Sequence, residues 1–254
     1  MAKETQKKSN APLFIIGAVL VVAVVVALWA ARSPAPTSTS TNAPRNTAQQ
    51  PRKTATMPPN APSGATPARE TGSPSATVVL EEFADFQCGS CAQVHPIMNE
   101  IKSMYGSKIR FVFRHFPLRM HDKAYDAAAA AEAAGLQGKF WEMQNLLFNN
   151  QRSWSADPNY KQTWAGYART IGLDVTKWET DMAGMATRAR VEEDLKRGNA
   201  AGIDGTPALY LNGTMVNIND MNIQALSSMI DAELQKASQP SVPNAPANAA
   251  PANK

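Results

Sequence analysis

The sequence predicts an α/β domain interrupted by a block of helices, carried behind one membrane-length apolar segment and a polar linker. Three observations predict it. A β-rich run, a helical run and a second β-rich run follow one another across residues 77–114. A helix-rich stretch then occupies residues 122–199. Finally, Asn212-Gly213 separates two short β-rich runs, the strongest short-range hairpin signal.

The chain has 254 residues. Residues 1–10 hold Lys3, Lys7 and Lys8 against Glu4, and residues 11–31 carry no charge. At about 1.5 Å per residue that run spans the roughly 30 Å hydrocarbon core, with Trp29 placed for the interface. It exceeds a signal-peptide core, and Trp29 spoils the small-x-small cleavage sites that would follow it. We therefore expect an uncleaved anchor with residues 1–10 cytoplasmic and everything after Arg32 outside. Residues 32–75 and 238–254 are dominated by Pro, Ser, Thr, Ala and Asn. They lack the apolar surface to offset their ordering entropy, so a disordered linker and a disordered tail are expected. Residues 76–237 remain as one domain with a real core.

Within it, residues 77–83 read as a strand, and residues 84–87 turn into Cys88. From Cys91, Val94, Ile97, Ile101 and Met104 recur at helical spacing, with Pro96 removing one backbone bond. Residues 109–114 form a second strand, parallel to the first through a right-handed crossover. Helices are then expected at residues 124–134, 140–148, 160–171, 175–185 and 188–198, the last stopped by Gly198. Trp141, Trp154, Trp164 and Trp178 are expected in the core of this insertion. Strands at 208–211 and 214–217 flank the Asn-Gly turn. A helix at 220–236 closes the domain, with Ile223, Leu226, Ile230 and Leu234 on one face.

Cys88 and Cys91 are the chain's two cysteines, too few for a disulfide framework, so the pair serves chemistry or a metal. At a helix start, free N–H groups and the dipole favour a negative sulfur at Cys88. Three segments carry a family resemblance: residues 80–91 (LEEFADFQCGSC), residues 113–117 (FRHFP) and residues 205–213 (GTPALYLNG). In this order around a helical insertion they resemble a thioredoxin fold of the DsbA type. The resemblance implies a protein-disulfide oxidoreductase with Cys88 as nucleophile and Cys91 as resolving thiol. Pro207 is then cis, and Thr206 offers backbone pairing to a client. Glu82 corresponds to a buried carboxylate beneath the disulfide, a proton carrier for Cys91. Gly89 and Ser90, where the best-known member has Pro and His, tune the potential. The resemblance further implies no cofactor beyond the redox-active disulfide, unfolded or reduced secreted proteins as clients, and a membrane quinone-linked reoxidant. The expected protein is a monomeric, single-pass protein of the inner or cytoplasmic membrane with its catalytic domain periplasmic or extracytoplasmic.

Alternatives stay open at this point. One is a reductase or isomerase of the same fold. Another is a copper- or zinc-binding chaperone using Cys88, Cys91 and His95, with His115 or His121 as fourth ligand. A third is an interaction domain with a structural disulfide. The net charge of +4 includes no long basic run in the folded part, which removes nucleic-acid binding from consideration.

Overall fold

The computed structural model describes residues 55–239. The expected anchor, the linker before residue 55 and the tail from residue 240 lie outside them. Among the described residues no helix is long and apolar enough to cross a membrane.

The sheet contains β1 (Arg69–Gly72), β2 (Val78–Ala84), β3 (Ile109–His115), β4 (Ala208–Leu211) and β5 (Thr214–Met215), in the order β1-β3-β2-β4-β5. Its centre is the parallel β2–β3 pair, joined through α1 (Gly89–Tyr105); the other pairings are antiparallel. Side chains alternate across a strand, so the two faces differ. Val78, Leu80 and Ala84 of β2 and Ile109, Phe111 and Phe113 of β3 pack with Met98 and Ile101 of α1. On the opposite face Phe83 packs with Phe116, Ile203, Ala208 and Tyr210.

β1 corrects the expected linker of residues 32–75, which is folded from residue 55 onward. Its sequence, RETG, contains no apolar residue, and it is held by charge. Arg69 reaches Glu132 at 2.6 Å, and the residues pair in register with β3 from Arg69↔Phe113 to Gly72↔Arg110. Upstream, Met57 donates its N–H to Gly213 and Met215 donates to Ala55, so residues 55–57 cover the β5 edge.

The insertion comprises α2 (Ala124–Gly135), α3 (Phe140–Asn149), α4 (Gln151–Ala156), α5 (Tyr160–Thr170), α6 (Val175–Ala183) and α7 (Met185–Ala200). Trp154, Trp164 and Trp178 are fully buried, as expected of core residues, while Trp141 is half-buried. Four expectations are corrected. Met104 is exposed, because α1 buries the row Cys91, Val94, His95, Met98, Ile101 and Tyr105 instead. Gly198 does not stop α7: it lies inside the helix, where a Cβ would stand 2.5 Å from the Phe116 ring. The hairpin turn is as expected, with Asn212 and Gly213 both at positive φ, but β5 ends at Met215. The last helix, α8 (Ile223–Ser238), begins late because the Asn222 side chain caps it by accepting from Ala225 N–H.

α7 is fastened to the sheet by buried charge. Asp194 accepts from Ala65 N–H (2.8 Å), Arg114 Nη1 (2.9 Å) and His115 N–H (3.1 Å). Glu81 holds Arg114 and Arg197, whose hydrogen bonds outweigh burial and keep its carboxyl below the usual range. Removing one member of such a cluster strands its partners without water. Asp194→Ala is expected to cost about 3–5 kcal/mol in urea unfolding. A loss below about 1 kcal/mol would show that the cluster contributes little.

Candidate active site

β2 delivers the chain to the site, and the loop at residues 85–88 turns it into α1. Cys88 is the N-cap of α1 with an extended backbone (φ −74°, ψ 120°). An N-cap side chain stands where the second and third helical N–H groups point. Here those belong to Ser90 and Cys91; the neutral thiol makes no cap hydrogen bond, and both N–H groups favour its ionised form. One turn in, Cys91 is fully buried. Both cysteines are free thiols.

The two sulfurs have opposite electrostatics. The Cys91 thiol, donating to Cys88, lowers the Cys88 pKa to about 5 against the opposing effect of burial, with Thr206 and the two helix N–H groups adding to it. Burial pushes the Cys91 thiol up, and hydrogen bonding to Cys88 pushes it further. The peptide bond Thr206-Pro207 is cis, as expected, and the Cys88 thiol donates to the Thr206 carbonyl at 3.3 Å. The buried Thr206 hydroxyl has no hydrogen-bond partner among the described residues. Cys88, Cys91, Thr206 and Pro207 are thus brought together. Gly89 and Ser90 are exposed; Ser90 acts through its backbone N–H, and space beyond Gly89 is open.

Glu82 and Glu81 diverge, as strand alternation requires. Glu82 lies on the α1 face with Leu80 and Ala84, buried, and burial raises its pKa to about 7 against the charge of Lys102. No hydrogen bond joins it to either sulfur among the described residues. Lys102 lies over the rings of Phe111 (5.0 Å) and Trp141 (4.8 Å).

The expected metal alternative is corrected. His95 bonds through Nε2 to Asn145 (2.8 Å), with Asn99 at 3.1 Å from the same nitrogen, and its ring lies 4.7 Å from that of Phe148. Burial lowers its pKa to about 4. His115 is fully buried against Glu132 at 3.0 Å, and His121 is bonded to Asp85. Each histidine is committed elsewhere, and among the described residues no three His, Cys, Asp or Glu side chains gather as metal ligands.

Sequence reasoning missed what fixes the loop. Gln151 of α4, buried, donates through Nε2 to the carbonyls of Phe86 (2.7 Å) and Cys88 (2.8 Å). Gln87 accepts from Lys123 N–H and donates to Asp122. Both ties join residues distant in sequence, and neither glutamine has a spacing that announces it. A thiol at an N-cap titrates early. Alkylation of the reduced protein is expected to rise with pH through a midpoint near 5 and then level off, with label on Cys88 alone. A midpoint near about 8.5 would contradict the N-cap stabilisation.

The thioredoxin family model matches residues 65–232, more than half of the chain, and the chain belongs to that family. BdbD from Bacillus subtilis (oxidised) has the same fold, with a TM-score of 0.59 at 22% identity over 69% of this chain and 98% of that one. Alpha-DsbA1 of Wolbachia pipientis has a TM-score of 0.57 at 21% identity, covering 68% of this chain and 93% of that one. Among curated proteins, the Na(+)/H(+) antiporter NhaA 1 of Mycolicibacterium gilvum is 37% identical over 145 residues, 56% of this chain. The chain spans 23% of that relative's length.

Proposed function

We propose that this thioredoxin-family chain is a protein thiol–disulfide oxidoreductase that donates its Cys88–Cys91 disulfide to client proteins outside the cytoplasm. The observation that carries the reading is the asymmetry of the pair: a sulfur held as thiolate at a helix N-cap beside a buried thiol of raised pKa.

The chemistry follows from that asymmetry. A client thiolate attacks Cys88 Sγ, forming a mixed disulfide and expelling Cys91 as a thiolate. Cys91 holds its proton tightly, so it takes one up; Glu82, poised near 7 on the same sheet face, is the proposed source. A second client thiolate attacks the client sulfur of the mixed disulfide and expels Cys88. A low-pKa thiolate leaves easily, which drives release of an oxidised client and a reduced enzyme. The two electrons gained then pass to a membrane quinone-linked reoxidant, restoring the disulfide. The Thr206 backbone, beside Cys88, is the proposed docking edge for the client chain.

The uncharged run at residues 11–31 and the linker after it support tethering to the cytoplasmic membrane with this domain on its outer side. Ion antiport is not proposed, because the matched part is a minor share of the antiporter-named relative. The reductase reading is second: it goes with a strongly nucleophilic thiolate of near-neutral pKa, and the Cys88 pKa of about 5 lies below that range.

The test uses single-cysteine variants. The Cys91→Ala variant, charged with a glutathione mixed disulfide, is expected to accumulate a client adduct through Cys88 that the wild type resolves. Cys88→Ala is expected to reduce client oxidation to the uncatalysed rate; an unchanged rate would refute the mechanism.

A further inference from the structure

Asp85, three residues before Cys88, is almost fully buried and touches the thiol pair entirely through its backbone. Its carbonyl accepts from Cys88 N–H at 3.1 Å, and its own N–H faces the Cys91 sulfur. Where the Asp85 backbone sits is therefore where both sulfurs sit.

Its side chain is held from three directions. Oδ1 accepts from Gln87 N–H at 2.7 Å, and Oδ2 accepts from Leu118 N–H at 2.8 Å. The third donor is His121 Nδ1, at 2.6 Å from Oδ2. Gln87 lies in the same loop and moves with it. Only Leu118 and His121, both in the segment that follows β3, tie Asp85 to a different part of the fold. Of these two, His121 is the side chain, and it is the one a substitution can remove while leaving the backbone donors in place. Without His121, Asp85 keeps the N–H groups of Gln87 and Leu118, but its buried Oδ2 is short of one donor and must shift or draw in water.

We propose that His121 is a positioning residue for thiol–disulfide exchange: through Asp85 it fixes the backbone geometry that places Cys88 at the N-cap of α1. The inference rests on the exchange reading above, and it assigns a role to a histidine that the metal alternative had counted as a ligand. The direction of the effect is determined. An Asp85 side chain short of a donor shifts its own backbone and loosens the carbonyl that anchors Cys88 N–H. A loosened helix start disfavours a negative sulfur at Cys88 and so weakens the reduced form relative to the disulfide.

The experiment compares His121→Ala with His121→Asn in the full chain, because asparagine places an N–H donor near the Nδ1 position without a titrating ring. Two readouts are taken: the pH midpoint of Cys88 alkylation and the equilibrium constant against glutathione. His121→Ala is expected to raise the midpoint and to lower the equilibrium constant about three- to tenfold, while His121→Asn recovers most of both. A general loosening of the fold would not be repaired by asparagine. Equal shifts in the two variants, or no shift in His121→Ala, would overturn the proposal. If His121→Ala does not fold, His121→Gln replaces it, since its amide extends beyond the Nδ1 position. Equal behaviour of Gln and Asn then overturns the proposal, and a Gln-only shift supports it. A wild-type midpoint near about 8.5 would instead refute the exchange reading, and this inference with it.

Discussion

A sulfur occupies the N-cap of α1, where the first free N–H groups of the helix favour its ionised form, and the chemistry of the molecule depends on that placement. A helix begins with donors that no carbonyl in the helix can satisfy. In most helices an oxygen side chain or water takes them. Here the N-cap is Cys88, which makes no neutral side-chain cap and becomes a good acceptor only when it ionises. The same contact therefore lowers the thiol's pKa, favours the reduced dithiol and makes the sulfur a leaving group.

The rest of the domain keeps this helix end in place, with Cys88 8% exposed and Cys91 fully buried. The parallel β2–β3 pair sets the direction from which the chain enters α1. The insertion closes over the loop from the other side, with Gln151 holding the carbonyls of Phe86 and Cys88. Charge is segregated by strand alternation. Glu81 is neutralised by two arginines on one face, whereas Glu82 on the other is met only by the charge of Lys102 and is pushed up toward neutral pH. Adjacent residues of the same type thus sit in different environments: one ties α7 to the sheet, the other is buried with its pKa raised to about 7.

Much of this was legible in the sequence because period and turn chemistry are local. The strand at 77–83, the helix after Cys91, the parallel β3 and the Asn212-Gly213 hairpin all appear within a residue or two of their expected places. So do the cis bond before Pro207 and the divergence of Glu81 from Glu82. What escaped notice is stabilised by distant partners. β1 is a polar edge strand whose stability comes from Glu132 and from β3, so its composition resembles linker. Gly198 looked like a helix stop, yet it is glycine because the Phe116 ring presses on α7 there. Gln151, Asp85 and His121 are individually ordinary polar residues; only folding brings them onto one loop.

The reduction potential of the Cys88–Cys91 pair in glutathione buffers tests the central claim most directly, because it weighs the reduced form against the disulfide in one number. A thiolate stabilised at the N-cap of α1 predicts a value between about −120 mV, that of DsbA, and about −180 mV, that of protein disulfide isomerase. A value near about −270 mV, as in thioredoxin, would contradict it and make the chain a reductase.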